Sequence, residues 1–365
     1  MKKSLLALAV LGAFAGAASA QSSVTIFGVV DVNLKYVDNT GSGDRRSMGT
    51  DGINSNRLGF RGVEDLGGGM KAGFWLEGGM SPDDGTAGGQ NWRRRSTVSL
   101  MGNWGEVRLG RDYTPSFWNT TIFDPFGTNG VGSSLNVARA AAGSGGAGGT
   151  AQATYVRSNN ALGYFLPAMG GVYGQIMIAP SEGATGAAGG QYEGGRIGYA
   201  AGPFNVALAL AQQGYSISPN IKYKTLNLAG SYKFGATTLM IQYNDEKLGA
   251  DAARVAAPQE LAEERWLFGA SIVVGQGEVR LSYVMSDWKN DNPTTAAKEQ
   301  DADASMFAIG YVYNLSPRTA LYAQYSKISN EGAANFSVAG GSSQNGLPTA
   351  GGSSTGMEFG LRHSF

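Results

Sequence analysis

From Val24 to Tyr36 the chain alternates with a period of two. Val24, Ile26, Val30, Val32, Leu34 and Tyr36 share one parity, while Thr25, Asp31, Asn33 and Lys35 hold the other. Two is the side-chain period of an extended strand, so this segment presents one apolar and one wet face. The pattern returns along the chain. Leu58 and Phe60 stand against Arg57 and Arg61, Phe74 and Leu76 against Lys71 and Glu77, and Val98 and Leu100 against Arg95, Thr97 and Ser99. It runs on through Phe204, Val206, Leu208 and Leu210, through Phe307, Ile309, Tyr311 and Tyr313, and ends at Met357, Phe359 and Leu361. Beyond the first twenty residues, no stretch supplies the roughly 18 consecutive apolar residues of a spanning helix. The chain therefore reads as all-β.

Two kinds of connection separate the alternating segments. Seven are short, at 64–69, 102–105, 167–171, 201–203, 234–236, 274–278 and 314–318. Eight are long and rich in Gly, Ser, Asn and Asp, at 38–54, 80–92, 112–152, 180–191, 213–221, 244–264, 286–303 and 327–354. Seven and eight connections join sixteen strands. An even strand count, with short turns at one end and long loops at the other, predicts a 16-stranded antiparallel transmembrane β-barrel. Proline gives an independent check, because its ring nitrogen cannot donate to a sheet ladder. All 11 prolines fall in the proposed turns or loops. A soluble sandwich alternates too, but sixteen strands would need two such domains, and no change of composition marks a linker between them.

Residues 1–20 read as a secretory signal peptide: Lys2 and Lys3 are basic, 5–15 are apolar, and Ala18-Ser19-Ala20 offers a cleavage site between Ala20 and Gln21. The barrel domain is then 21–365, with 365 − 20 = 345 residues, 28 − 2 = 26 basic and 28 acidic side chains. An exported chain of this kind without Cys suits the outer membrane of a Gram-negative bacterium, where its apolar face would meet lipid and lipopolysaccharide. Near-neutral charge provides no field for nucleic acid. The absence of Cys and the single His363 exclude disulfides, Cys/His zinc sites and a hydrolase built on an imidazole beside a serine. Gly143-Ser-Gly-Gly-Ala-Gly148 matches a dinucleotide fingerprint, but it sits in a loop tract without the strand and helix the motif needs. Neither a cofactor, a metal nor a catalytic residue is expected.

The wet parity carries the chemistry that remains. Arg57, Arg61, Arg93, Arg95, Arg108, Arg157, Arg196 and Arg280 lie on it with Lys35 and Asp31, and the third long loop adds Arg139. Arg57, Arg95 and Arg157 belong to the second, fourth and sixth strands, so one wall would hold three guanidiniums. Arginine stays protonated, and such groups lining a bore favour anions. At about 40 residues, the third loop far exceeds an ordinary connection and is long enough to fold inward. Asp112, Asp124 and the strand residue Glu77 are the candidate acids opposite or among the arginines.

Several pieces resemble the general porins of betaproteobacterial outer membranes: Val24-Thr-Ile-Phe-Gly-Val-Val-Asp31, the run from Asn56 to Lys71, Gly105-Glu-Val-Arg-Leu-Gly-Arg-Asp-Tyr-Thr-Pro115, Tyr311 to Tyr322, and the ending Gly360-Leu-Arg-His-Ser-Phe365. The resemblance implies a trimeric channel for passive passage of small hydrophilic solutes and ions. It also implies an inward-folded third loop forming the constriction, and anion preference from an arginine cluster. Arg57, Arg95 and Arg157 fall where such porins place constriction arginines. Phe365, with Leu361 and Phe359 in alternation before it, is implied to be read by the barrel-assembly machinery. The third loop departs from the pattern in its Gly/Ala-rich stretch and low acid content. The alternative is a substrate-specific channel for a sugar or organic anion, with Phe27, Trp75, Tyr173 and Tyr322 as a stacking path.

Overall fold

The computed structural model describes residues 23–85, 91–138, 155–181, 191–215, 218–248, 260–291, 302–338 and 346–365. The leader, Ala20, Gln21 and Arg139 lie outside them. Among the described residues there are seventeen strand segments: β1 (Ser23–Asn39), β2 (Gly43–Thr50), β3 (Arg57–Gly67), β4 (Met70–Gly79), β5 (Arg95–Gly102), β6 (Gly105–Tyr113), β7 (Arg157–Phe165), β8 (Val172–Ala179), β9 (Tyr192–Ala201), β10 (Phe204–Tyr215), β11 (Ser218–Phe234), β12 (Thr237–Leu248), β13 (Glu260–Val274), β14 (Gly277–Asp291), β15 (Ala304–Asn314), β16 (Thr319–Asn330) and β17 (Ser353–Ser364). Helix α1 (Pro115–Ile122) and a 3-10 turn at Ser134–Val137 lie between β6 and β7.

Each strand pairs antiparallel with its sequence neighbours, with one exception that resolves the count. One half of β1 pairs with β2, from Val32 opposite Thr50 to Asn39 opposite Gly43. Its other half pairs with β3, from Ser23 opposite Val63 to Val29 opposite Arg57. β2 and β3 are thus one stave interrupted at 51–56, and the seventeen segments make sixteen staves. Pairing of β1 with β17, from Val29 opposite Ser364 to Asn39 opposite Ser354, closes the barrel. Two backbone bonds of 3.1 Å between Gly28 and Phe365 extend this seam to the last residue.

The alternation decides which face is which. Leu34 and Ile176 are 63% exposed and Val24 62%, while Asp31 and Asn227 on the opposite parity are fully covered. Apolar outside and polar inside is the reverse of a soluble protein and the arrangement of a barrel in hydrocarbon. Leu58, Phe74, Leu208 and Ile309 all stand on this outer surface. Aromatic pairs mark its edges: Phe204 with Tyr232 and Tyr311 with Tyr313 toward the turn end, and Trp266 with Tyr243 and Phe268 toward the loop end. The tight turns rely on glycine where φ must be positive, as at Gly235 (+56°) and Gly275 (+60°), each first in a two-residue connection.

Several expected loops prove shorter. The proposed connection 38–54 contains β2, and only 40–42 separate it from β1. Likewise, β11 begins at Ser218, with Pro219 as its second residue, β12 runs to Leu248, β13 begins at Glu260 and β14 reaches Asp291. The cause is physical: a strand that projects beyond the hydrocarbon keeps its backbone ladder but no longer needs an apolar face, so period two fades while the sheet continues.

Part of the bore is filled. Val131 and Val137 of the loop after β6, and Ala334, Phe336 and Val338 of the segment after β16, pack with Val37, Leu267, Val284, Met306 and Ile328 of the inner wall. Asn330 holds that second segment by accepting from Phe336 N (2.8 Å) and donating to Phe336 O (3.0 Å). The open bore is thus displaced toward β3–β7.

Candidate functional site

The third loop leaves β6 at Tyr113 and starts a helix at once. Thr114 caps α1 by accepting from Phe117 N (3.3 Å), and Pro115 takes the first helical position, where a missing N–H costs nothing. Side-chain hydrogen bonds hold α1 to the inner wall. Asn119 Nδ2 donates to Asn227 Oδ1 (2.6 Å), Gln242 Nε2 donates to Thr120 O (3.1 Å), and Ser116 Oγ shares a bond with Tyr192 Oη (3.1 Å). At the tip, the Asp124 carboxylate accepts from Phe126 N (2.8 Å), Thr128 N (3.2 Å) and Ser134 N (3.0 Å). Burial pushes this carboxyl above its ordinary value, against the pull of those donors. Beyond the tip, Glu358 accepts from Val131 N (3.1 Å) and Asn129 Oδ1 accepts from Ser55 Oγ (2.8 Å). On the return, Tyr155 donates to Glu246 (2.9 Å) and accepts from Arg265 Nη2 (3.3 Å).

These anchors bring the loop across the bore, against the walls from β9 round to β17. The wall β3–β7 stays bare and carries the arginines. Glu77 on β4 pairs with Arg57 (3.4 Å) and Arg94 (2.6 Å). Asp112 on β6 pairs with Arg108 (2.5 Å) and Arg95 (3.7 Å), and Arg108 also meets Glu106 (2.8 Å). Aromatic rings back the cations: Arg95 lies 4.5 Å and Arg61 5.2 Å from the Trp75 ring centre, Arg157 lies 4.1 Å from Tyr113, and Arg108 lies 4.0 Å from Phe165. A guanidinium on an aromatic face keeps its charge while losing freedom of motion. Around this wall stand six arginines (57, 61, 94, 95, 108 and 157) and four acids (Glu77, Glu106, Asp112 and, on the 51–56 insert beside Arg57 and Arg94, Asp51), a balance of 6 − 4 = +2.

Not every candidate from the sequence lies in this group. Arg57, Arg95, Arg157, Glu77 and Asp112 are brought together, with Arg61 and Arg108 beside them. Arg93 is exposed and bonds through its backbone, accepting from Arg111 Nε (2.5 Å) and donating to Asn91 O (2.7 Å), while Arg94 takes the ion pair with Glu77. The parity rule fails there because β5 begins at Arg95 and the residues before it do not alternate. Asp124 does not face the arginines, since its oxygens are spent on the loop's own backbone. Asp112 and Glu77 lie on the arginine wall itself, not across from it. Lys35, on β1 beside the β2–β3 stave, pairs instead with Glu358 of β17 (3.6 Å). Asp31 points inward but is fully covered by the 51–56 insert, accepting from Ile53 N (2.9 Å), Asn54 N (2.8 Å) and Tyr322 Oη.

Two groups escaped the sequence reading. Arg94 is the middle of three consecutive arginines, and that run was the available signal. Arg265 is 1% exposed and ion-paired with Glu246 (3.1 Å) and with Glu263. Its parity was readable, but its partners Glu246 and Glu263 fall in 244–264, which reads as loop.

With this geometry in place, comparison with known proteins is informative. Residues 7–333 match the family model described as Gram-negative porin. Outer membrane porin protein 32 of Delftia acidovorans is 41% identical over 371 residues, covering all of both chains. Among solved structures, an anion-selective porin from Comamonas acidovorans superposes with a TM-score of 0.82 at 38% identity, over 94% of this chain and 100% of that one. OmpT of Vibrio cholerae, in a trimer form, shares the fold at a TM-score of 0.67 and 13% identity, over 94% and 99% of the two chains. A closed barrel of sixteen staves, a loop drawn into its bore and a family match over most of the sequence place this chain in the Gram-negative porin family.

Proposed function

We propose that the protein is a general diffusion porin of the outer membrane that passes small hydrophilic solutes and ions, with anions preferred. The observation that carries this reading is the +2 arginine wall facing a loop whose described residues present no exposed charge. Among the described residues 114–138, Asp124 is the sole Asp, Glu, Lys or Arg, and it is buried. The side chains these residues leave partly open are neutral: Trp118, Thr121, Ile122, Thr128, Asn129 and Leu135. An ion in the eyelet is therefore subject to a net positive field and not to a balanced transverse one. Arg57, Arg94, Arg95 and Arg157, with Glu77 and Asp112, form the constriction in this reading.

Export behind a cleaved leader, assembly as a homotrimer in lipid and lipopolysaccharide, and reading of Phe359, Leu361 and Phe365 by the barrel-assembly machinery complete the proposal. Planar-bilayer recording in a KCl gradient tests it. The reversal potential should sit on the chloride side and move toward potassium when Arg57, Arg95 and Arg157 are replaced together by Ser. An unmoved potential would remove the constriction assignment. A sugar-specific path is not favoured. Phe27 and Trp75 touch (4.9 Å), but Tyr322 is buried behind the 51–56 insert, so the rings form no continuous track.

A further inference from the structure

Below the loop, on the turn side of the bore, a second cationic position stands apart from the constriction. Arg196 on β9 faces inward, directly opposite Gln175 of β8. Such cross-strand neighbours have Cβ atoms about 5 Å apart. Its depth follows from the strand: Tyr192 is bonded to Ser116 of α1, and Arg196 lies four residues further toward the turn that follows Ala201.

Its surroundings leave donors without acceptors. Nε and Nη1 of Arg196 and Nε2 of Gln175 are all shielded and unpartnered, and Gln175 is only 5% exposed. The flanking tyrosines have their hydroxyls engaged elsewhere, Tyr192 with Ser116 and Tyr173 as donor to Asn205 Oδ1 (2.6 Å). Tyr173 instead offers its ring, 5.1 Å from the guanidinium. The small residues Gly194 and Gly198 on the same inward parity leave the arginine no competing side chain of their own. No carboxylate pairs with Arg196 among the described residues, whereas Arg57, Arg94, Arg95, Arg108, Arg265 and Arg280 each have one. A desolvated donor left unpaired is costly, more so on a cation.

We propose that Arg196 and Gln175 form a binding site for a small oxyanion, such as a carboxylate, sulfate or phosphate, on the turn side of the constriction. Arg196 is half-buried, so an oxyanion approaches the guanidinium from the bore, and the shielded donors of Arg196 and Gln175 reach it by a small turn of their side chains. Along the wall the site follows the constriction without a break: Arg108 stacks on Phe165, Phe165 is paired with Gln175, and Gln175 with Arg196. An anion that has passed the eyelet is received there before it enters the turn-side vestibule. This inference rests on the anion-channel reading above, and the test separates the two.

The test records chloride current through the full-length porin in planar bilayers while inorganic sulfate is added on the turn side. Sulfate should block the wild-type current, and Arg196→Gln should raise the half-blocking concentration about tenfold, the loss expected for one charge-assisted contact. Arg196→Lys should keep part of the block, and Gln175→Leu should weaken it a few-fold without removing a charge. Chloride preference in a KCl gradient should persist in Arg196→Gln, because the constriction is intact. Equal block in the wild type and Arg196→Gln overturns the site while leaving the channel reading standing; a wild type without chloride preference overturns the channel reading instead. Crystals soaked in selenate decide in either case, including for a variant that assembles poorly. An anomalous peak between Arg196 and Gln175 is expected, and selenate confined to the constriction refutes the site.

Discussion

Replacing Arg94 and Arg93 separately by Ser is the sharpest test of the constriction, because the two are adjacent in sequence and differently placed. Arg94 is held against Glu77 with 13% of its side chain exposed, whereas Arg93 is exposed. An anion about 6 Å from a guanidinium in a water-filled eyelet gains roughly 332/(80 × 6), or about 0.7 kcal/mol, and a cation loses as much. The two effects together are about 1.4 kcal/mol, a factor of about ten in the chloride-to-potassium permeability ratio, and low-dielectric walls would only increase it. Arg94→Ser should therefore lower that ratio about tenfold. Arg93→Ser, with a head group screened by electrolyte, should change it less than about twofold. The assay is the reversal potential of single trimers in a dilute KCl gradient, where screening is weakest. Equal shifts for the two variants, or an unmoved potential in Arg94→Ser, would refute the assignment.

Other perturbations address the scaffold. Arg265→Met would leave Glu246 and Glu263 buried without their cation, at a cost of about 3–5 kcal/mol. It should free the return leg of the third loop, seen as noisier open-channel current, and the triple change with Glu246→Gln and Glu263→Gln should quieten it. Asp31→Ala should loosen the 51–56 insert, which positions Arg57 through the bond from Arg57 Nε to Ser55 O (2.9 Å). A widened distribution of conductance levels is expected, and an unchanged one argues against the clasp. Removing Phe365 deletes the last pair of seam bonds with Gly28, and the yield of heat-modifiable trimer should fall; normal yield would contradict it. Asp124 carries a raised carboxyl in the docked loop, so its favourable contribution is complete below the ordinary value of 3.8 and is lost as pH rises through the raised value. Acidification from neutrality should then reduce loop-dependent current noise, and greater noise would refute the sign.

What the sequence disclosed depended on whether a residue's environment imposes a period. Hydrocarbon on one side and water on the other forced Leu208, Ile241 and Phe359 each onto the outward parity of its own strand, so the staves and the outer face were readable. Outside the hydrocarbon that pressure ends, which is why β2 read as loop, and with it Glu246 and Glu263, the partners that bury Arg265. Asp124 was misread for a related reason. A loop acid declares its charge in sequence but not its partners, and only the folded tip shows three backbone donors closing around it.

The distribution of charge explains how a mature chain expected to carry 26 − 28 = −2 can still prefer anions. Fields in electrolyte fade over about 8–10 Å, so an ion in the eyelet is governed by the groups lining it and hardly at all by acids elsewhere on the barrel. Glu77 and Asp112 would make the eyelet dipolar if they projected from the loop. Placed on the arginine wall, they instead neutralise part of the charge they fix in position, and Arg157, with a tyrosine ring as its support, keeps its charge unpaired. Because the described residues 114–138 of the loop opposite present only neutral groups, no acid among them cancels the remainder, and selectivity follows from which wall holds the acids more than from how many there are.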